Sequence, residues 1–218
     1  MKIVGFVTIR LNSRRVPQKN IRILGGKALC WYMVNSLLQV HEIDDVYVYC
    51  SDPIIKDYIP EEAILLLRDR RLDADEIKVK DTYTAFIDEI DADIYVVGGS
   101  TSPFTKPETI RNGVTLVKSG KYDSAFTVKR VQTFAWYLGH PLNYDPTDVP
   151  QTQKIKPVFI ETSGLFVFKK ELWTQYGRRV GFMPYMLEVE NAEAIDIDTP
   201  GDFAFAELIA NAMSMELK

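Results

Sequence analysis

Positive charge is concentrated between residues 10 and 20, directly after an apolar stretch. Such a concentration either faces water or binds an anion, and a loop that faces solvent remains the alternative. A single lysine cannot neutralise a nucleoside triphosphate, whereas several cations together make strong charge-assisted hydrogen bonds to phosphate. Pro17 fixes one backbone angle, so the loop is partly preorganised. We therefore interpret this loop as a triphosphate cradle formed by Arg10, Arg14, Arg15 and Lys19, with Ser13 and Asn20 as neutral polar groups.

A pair of aspartates near the end of the chain, Asp196 and Asp198, could bind a metal. Residues two apart in a strand point to the same face, and two such carboxylates repel each other unless a cation is bound or a pKa is raised. Magnesium binds carboxylate oxygens and leaves positions for phosphate and water. We therefore predict a magnesium site at these two residues. The alternative is that Asp198 only caps the last helix, although Thr199 and Asp202 fit that role equally well.

Three further segments carry polar groups at the ends of predicted elements. Arg68 follows an apolar strand, where a guanidinium could bind a base edge or a phosphate, although a solvated charge run fits the same residues. Thr82 begins a predicted helix, so the alternative to a ligand contact is an N-cap. Glycines at 98 and 99 allow a ligand to approach the backbone closely before Ser102, but a turn needs the same residue types.

These groups require a fold that brings strand ends together. Strand-like and helix-like segments alternate, which is typical of a mostly parallel sheet with crossover helices, and the strand ends of such a sheet converge on one crevice. We predict strands at 3–9, 45–50, 63–67, 93–97, 124–128, 160–169 and 194–198, and helices at 28–40, 54–58, 82–90, 107–119 and 203–213.

The pattern changes between residues 130 and 157, which are aromatic and proline-rich without a helical period. We predict a β-arm at about 130–160 that projects from the sheet and forms a homodimer contact through exposed aromatic side chains. An ordinary long surface loop is the alternative. Because no repeat or low-complexity linker interrupts the chain, we predict a single domain over residues 1–218.

Composition excludes several function classes. The net charge is −4, so the basic loop stands against an acidic background, and a general nucleic-acid surface is not expected. No apolar run is long enough to span a membrane, and the first residues do not form a secretory signal. Cys30 and Cys50 are interpreted as buried free thiols, which fits a reducing cytoplasm. The ordinary P-loop and the dinucleotide-binding glycine pattern are both missing, so redox chemistry with a dinucleotide is not expected.

Taken together, these segments resemble the acylneuraminate cytidylyltransferases, the CMP-sugar synthetases that activate sialic acids and related acidic sugars. The resemblance covers almost the whole chain in the right order. It rests on Arg10-x-x-Ser13-Arg14-x-x-Pro17-x-Lys19-Asn20, Ser51-Asp52, Thr101-Ser-Pro-Phe104, Glu161-Thr-Ser-Gly164 and Ile195-Asp-Ile-Asp198-Thr-x-x-Asp202-Phe, followed by Ala206-Glu207.

The resemblance implies a three-layer, Rossmann-like nucleotidyltransferase fold, a homodimer built by the arm, and CMP transfer from CTP. It implies that the CTP phosphates are bound by Arg10, Arg14, Lys19 and Asn20, and that Ser102 belongs to the nucleotide site. It also implies that Arg68 and a hydroxyl near Thr82 lie by cytosine and ribose, with Thr84 as a competitor for Thr82. Magnesium on Asp196 and Asp198 is implied as well, and the expected catalytic residues are Arg10, Lys19 and Asp198.

Departures from the family pattern are concentrated on the acceptor side. Gly99-Ser100 stands where sialic acid enzymes have glutamine, and aromatic residues around Trp136 replace a lysine of the arm. Gln151 and Val167 replace an arginine and a tyrosine. We therefore expect an acidic sugar of the nonulosonic type other than common sialic acid. The alternatives are a phosphonate or other small anionic acceptor, a nucleotide-sugar-dependent glycosyltransferase, and a catalytically dead nucleotide-binding module.

Overall fold

In the computed structural model, which describes residues 1–216, strand β1 (Ile3–Ile9) lies inside a seven-stranded sheet. Its side chains are buried on both faces, as expected of a strand covered by helices on each side. The predicted domain extends to residue 218, and residues 217 and 218 lie outside the described residues.

Strands and α-helices alternate along most of the described chain. After β1, the strands are β2 (Ile23–Leu24), β3 (Lys27–Ala28), β4 (Asp45–Cys50), β5 (Ile64–Leu67), β6 (Ile94–Gly98), β7 (Ser124–Val131), β8 (Trp136–Tyr137), β9 (His140–Pro141), β10 (Val158–Lys169) and β11 (Pro184–Glu188). The α-helices are α1 (Leu29–Leu38), α2 (Val79–Glu89), α3 (Pro107–Lys118), α4 (Lys170–Tyr176) and α5 (Pro200–Glu216).

The main sheet has the strand order β11-β7-β10-β6-β1-β4-β5, and β10 pairs antiparallel with both of its neighbours. The other pairings in this sheet are parallel, so the carboxyl ends of β1, β4, β5 and β6 share one edge. The chain leaves β1 towards β4 on one side and later returns to β6 on the other. This reversal opens a crevice above the strand ends, where α/β sheets bind ligands.

Two hydrophobic clusters cover the two faces of the sheet. One joins β1 to α1 and α3 through side chains such as Val7, Met33 and Val114. The other joins β1 to α2 and α4 through Phe6 and the residues it packs with. The predicted three-layer arrangement and mostly parallel sheet are therefore confirmed.

The prediction of a last strand at 194–198 is wrong. Residues 191–194 form a turn, and 195–198 have no regular secondary structure and lie outside the sheet. The segment is attached to a loop rather than to a strand, because the Ile197 amide donates to the Thr101 carbonyl at 2.9 Å. The edge position beside β7 is taken by β11. The sequence pattern does not reveal β11, since Leu187 is its one buried side chain.

Three helix predictions also change. Helix α5 begins at Pro200 rather than at residue 203. Helix α2 begins at Val79 rather than at Thr82, and Lys78 is its N-cap residue. The predicted helix at 54–58 is a 3₁₀ helix, Pro53–Tyr58, capped by the Asp52 side chain.

The predicted arm region contains a short hairpin, β8 and β9, which lies outside the main sheet. Leu138 and Gly139 connect its strands, and both residues have positive φ, as a tight two-residue hairpin turn requires. Trp136, Tyr137 and Leu138 are exposed. The hairpin therefore presents large apolar side chains to solvent.

Both cysteines are buried and unpaired, which confirms their interpretation as free thiols. Burial raises the pKa of the Cys30 thiol to about 12, so it is unreactive at neutral pH. Within residues 1–216, none of the helices is long and apolar enough to cross a membrane.

Candidate active site

The basic loop after β1 closes on itself before it enters the short 3₁₀ helix Lys19–Ile21. Asn20 Nδ2 donates to the Arg10 carbonyl at 2.9 Å, so the two ends of the loop are joined. Val16 is buried and anchors the middle of the loop, and its carbonyl accepts from the Lys19 amide. Gln18 adopts the left-handed conformation that this turn needs. Buried Asn20 Oδ1 has no hydrogen-bond partner within the described residues, so it can accept a bond from a ligand.

Lys19 connects the basic loop to the late acidic segment. Its side chain is largely buried, and Nζ lies 2.5 Å from the Ile197 carbonyl oxygen and 3.2 Å from Asp198 Oδ1. The contact spans 178 residues of sequence. The basic loop therefore lies beside Asp198, as predicted for that member of the aspartate pair.

The arginines of the loop form ion pairs with acidic residues. Arg15 Nη2 lies 2.7 Å from Asp198 Oδ1, and Arg10 Nη1 lies 3.7 Å from Asp75 Oδ1. Arg14 also contacts Asp75. All three arginines remain substantially exposed, so these ion pairs are weak and can exchange for a phosphate. Sequence reasoning missed Asp75, and the signal available was the acidic residues at the end of the charge run that begins at Arg68.

Arg68 is buried at the end of β5. Its Nη2 lies 2.6 Å from Asp73 Oδ1, and Nη1 donates to the Tyr49 carbonyl at 3.3 Å. Asp73 also accepts a bond from the Ser51 hydroxyl. Arg68 is therefore held in a buried network and is not part of a solvated charge run. Its Nε lacks a hydrogen-bond partner among residues 1–216, which leaves a donor for a ligand.

Thr82 and Thr84 lie on different sides of α2. Thr82 is buried in the wall of a cavity, four residues into the helix, so the N-cap alternative is wrong. Thr84 Oγ1 accepts from Trp173 Nε1 at 3.2 Å and packs towards α4. Of the two candidates, Thr82 is therefore the one that faces the cavity.

Ser102 lies behind the cavity wall rather than in it. The side chain is buried, and its hydroxyl has no hydrogen-bond partner in the described part of the chain. Ser100 and Thr101, the two preceding residues, line the cavity instead. The loop takes this course because Gly99 approaches β10 closely, with its amide 3.0 Å from the Gly164 carbonyl.

Asp196 and Asp198 are presented by the segment before α5. The Thr101 hydroxyl donates to Asp196, and Ile197 between the two aspartates is fully buried. The cap of α5 is a reciprocal pair of Thr199 and Asp202: the Thr199 hydroxyl accepts from the Asp202 amide at 3.2 Å, and the Asp202 carboxylate accepts from the amides of Asp198 and Thr199 at 3.0 and 2.7 Å. The alternative role of Asp198 as a helix cap is therefore wrong, and its carboxylate faces the basic loop.

The donor set at this segment fits magnesium. Mg²⁺ is commonly bound by one or two carboxylates, with substrate phosphates and water as the other ligands. No cluster of three or more His, Cys, Asp or Glu side chains suited to a metal occurs within residues 1–216. The two aspartates would therefore need phosphate oxygens from a ligand to complete the coordination, and the basic loop is placed to bring them.

A cavity of about 550 Å³ lies above the carboxyl ends of the strands. Its walls come from β1, the basic loop, the end of β5 and the start of α2, and its size suits a nucleotide-sized ligand. Of the residues predicted for the site, it is lined by Arg10, Ser13, Arg14, Arg15, Lys19, Asn20, Arg68 and Thr82. Ser102, Asp196 and Asp198 do not line it.

Comparisons with known proteins agree with this geometry. The family described as cytidylyltransferase matches residues 4–216. An N-acylneuraminate cytidylyltransferase A from Danio rerio is 26% identical over 215 residues, which are 94% of this chain and 50% of that protein. A CMP-N,N'-diacetyllegionaminic acid synthase from Legionella pneumophila is 27% identical over 229 residues, 95% of each chain.

A solved structure of CMP:2-keto-3-deoxy-manno-octonic acid synthetase, complexed with CTP, superimposes with a TM-score of 0.73 at 15% identity. The match covers 99% of this chain and 100% of that one, and at this identity it shows the fold alone. The chain spans about half the length of the Danio rerio relative and of the Oncorhynchus mykiss relative. Since the family match extends over nearly every residue, the chain belongs to the cytidylyltransferase family.

Proposed function

We propose that this protein transfers CMP from CTP to a hydroxyl of an acidic sugar and releases pyrophosphate. The observation that carries the proposal is the contact of Lys19 Nζ with the Ile197 carbonyl and Asp198, which joins a basic loop to an acidic segment beside one nucleotide-sized cavity. The named activities of the relatives, all CMP-sugar synthases or cytidylyltransferases, support the same reaction.

In this reaction an acceptor hydroxyl attacks the α-phosphorus of CTP. A new P–O bond to the sugar forms, the bond between the α- and β-phosphates breaks, pyrophosphate leaves and the hydroxyl proton passes to water. Such phosphoryl-type transfers depend on positioning and on stabilisation of charge. Lys19 and the exposed Arg10 and Arg14 line the cavity, and they would stabilise the charge that builds on the leaving pyrophosphate.

Magnesium is part of this proposal. Asp196 and Asp198 would hold it, and a bound Mg²⁺ supplies charge neutralisation at the phosphates. Asp198 also forms ion pairs with Arg15 and Lys19, and these two cations balance its negative charge. Arg68 and Thr82, in the same cavity, are proposed to contact the base and ribose.

The proposed acceptor is an uncommon acidic sugar of the nonulosonic type. The support is a comparison with the pattern of sialic acid enzymes. The residues expected to bind the phosphates match that pattern, whereas Gly99, Gln151 and Val167 replace residues expected to contact the acceptor. A phosphonate acceptor remains the second candidate, because a small anion would also suit these replacements. Membership in the cytidylyltransferase family argues against a glycosyltransferase.

We also propose that the protein forms a homodimer through the arm. The support is the exposure of Trp136, Tyr137 and Leu138 on the β8–β9 hairpin, with Leu142 exposed beside them. Large apolar side chains grouped on a projecting hairpin are typical of protein contacts.

The experiment is a pyrophosphate-release assay with CTP, with and without Mg²⁺, over a panel of sugar acids and phosphonates. We expect release that depends on both CTP and an acidic acceptor. An Asp198→Asn variant should lose at least about a hundredfold in rate, since it removes one preorganised charge from the reacting centre. A matched Asp57→Asn variant, at an exposed position on the 3₁₀ helix Pro53–Tyr58, should keep the wild-type rate. Equal rates for the two variants would contradict the proposal.

A further inference from the structure

A second, smaller cavity of about 230 Å³ adjoins the first. The two cavities share part of their walls, namely Thr8, Val79, Tyr83, Ser100 and Thr101. A molecule in the smaller cavity would therefore lie directly beside a nucleotide in the larger one. This is where an acceptor must be to reach the α-phosphate.

Arg179 is the one charged side chain that lines the smaller cavity within residues 1–216. Its guanidinium carbon lies 3.6 Å from the centre of the Phe166 ring, and Nη2 lies 3.1 Å from Glu161 Oε1. Burial raises the pKa of the nearby Tyr83 hydroxyl, and the Arg179 charge opposes that shift. A guanidinium has five N–H donors, so the contact with Glu161 does not use all of them. The side chain is about one-third exposed, which leaves it accessible from the cavity.

The backbone that carries Arg179 is firmly held. Gly177 ends α4 in the left-handed conformation, and the Asp123 carboxylate accepts from the amides of Phe182 and Met183 at 2.6 and 2.9 Å. A Cβ on Gly181 would lie 2.3 Å from that carboxylate, so a larger residue there would have to displace the Asp123 side chain. The arginine is therefore fixed from both sides and preorganised for binding.

We propose that Arg179 binds the carboxylate of the acceptor and so selects a monoanionic sugar acid. This inference rests on the function proposed above. A carboxylate matches the planar fork of a guanidinium and forms two parallel hydrogen bonds with it. Arg179 already pairs with Glu161, so the two side chains together carry no net charge, and Glu161 would repel a phosphonate dianion more strongly than it repels a monoanion. Sialic acid enzymes have an arginine on the acceptor side at the position of Gln151. In this chain Arg179 would supply the positive charge for the acceptor instead.

The test compares Arg179→Gln with Arg178→Gln. Arg178 is a matched control because it is adjacent, stacks on Phe182 and does not line either cavity. The probes are N-acetylneuraminic acid, N,N'-diacetyllegionaminic acid and 2-keto-3-deoxy-manno-octonic acid, each as the free acid and as its methyl ester. Binding to the CTP-loaded protein is measured by calorimetry, and KM and kcat are measured by pyrophosphate release.

We expect Arg179→Gln to weaken binding of the free acid at least about tenfold, the loss of a charge-assisted contact, while CTP affinity stays within about twofold. The methyl ester should bind wild type and variant alike, and Arg179→Lys should restore part of the acid affinity. Glu161→Gln should lower the KM of the acid, because it removes a competing negative charge. The Arg178→Gln variant should match wild type.

Equal acid affinity in wild type and Arg179→Gln would overturn the inference, as would an equal loss for acid and ester, which would indicate a merely structural role. Failure of every free acid to bind CTP-loaded wild type, or turnover with a phosphonate alone, would also overturn it. These results differ from failure of the proposed function, in which CTP itself would not bind or no pyrophosphate would form from any acceptor.

Discussion

Lys19 is held at the cavity wall by oxygen atoms from the far end of the chain, the Ile197 carbonyl and the Asp198 carboxylate. Its ammonium group is largely removed from water, where charge–charge interactions are stronger than at the surface. A phosphate that enters the cavity therefore gains more from Lys19 than from an exposed lysine.

Replacing Lys19 by methionine tests this. We expect the CTP affinity to fall at least about tenfold, because one charge-assisted hydrogen bond to phosphate is lost. Calorimetric titration of CTP measures the change. Lys118→Met, at an exposed position near the end of α3, is the control and should bind CTP like wild type. Equal CTP affinity in the two variants would count against the cradle.

At the residue scale, the sequence predicts which groups carry charge but not how those charges pair. The basic loop and the aspartate pair stand out by type and spacing, and Lys19 does contact Asp198. Asp73 and Asp75 were missed as partners of Arg68 and Arg14, because a charge run does not show which members face inward. Ser102 was assigned to the site by motif, whereas the turn at Gly99 places its neighbours in the wall instead.

At the scale of elements, the loop after β6 depends on glycine. A Cβ at Gly99 would lie 2.2 Å from the Ser163 carbonyl oxygen, so the loop and β10 would have to separate. We expect Gly99→Ala to lower the free energy of unfolding by about 1–3 kcal/mol through this overpacking. Urea denaturation measures it. Gly201→Ala is the matched control, because a Cβ there meets only Thr199 Oγ1 at an ordinary 3.6 Å. Similar stabilities of the two variants would show that the loop relaxes freely.

Helix α5 provides a pH-dependent test. Hydrogen bonds from the Thr199 hydroxyl, and then from the Asp198 and Thr199 amides, hold the pKa of Asp202 below its ordinary value of 3.8. A lowered pKa means that the carboxylate stabilises the fold above about pH 3.8, and that this contribution is lost as the pH falls through the folded-state pKa. We expect Asp202→Ala to cost about 1 kcal/mol at pH 7, a typical helix-cap loss.

That difference between wild type and Asp202→Ala should shrink in thermal melts below pH 3.8. If the stability difference between the two proteins stays constant at the lowest pH measured, packing of the Asp202 side chain, and not its ionised carboxylate, causes the difference.

The elements show where sequence patterns suffice. Strands such as β1 and β6 are continuous apolar runs because they are buried on both faces, and such runs identify them directly. The edge strand β11 is mostly exposed and carries no such run, so it was missed. Apolar and polar residues alternate at 194–198, a pattern typical of a strand. Ile197 nevertheless packs in a cluster with Phe203 of α5 and does not join the sheet.

At the scale of the whole molecule, Lys19 in the wall of the larger cavity contacts Ile197 and Asp198 near the other end of the sequence. The β8–β9 hairpin follows β7, in the opposite half of the sheet order. We expect Trp136→Asp to shift the protein towards monomers, because a charge on the exposed hairpin opposes apolar association. Sedimentation equilibrium measures the state. Leu208→Asp, at an exposed position on α5, is the control and should leave the assembly unchanged. A wild-type monomer, or an unchanged dimer in Trp136→Asp, would contradict the arm contact.

The central claim is that the basic loop and the segment 196–198 form a single triphosphate site. A crystal structure of the protein with CTP and Mg²⁺ measures this most directly. We predict that the triphosphate lies against Lys19 and Asn20, with the metal between its oxygens and the carboxylates of Asp196 and Asp198. A triphosphate bound elsewhere, with Lys19 still paired to the Ile197 carbonyl and Asp198, would contradict the account.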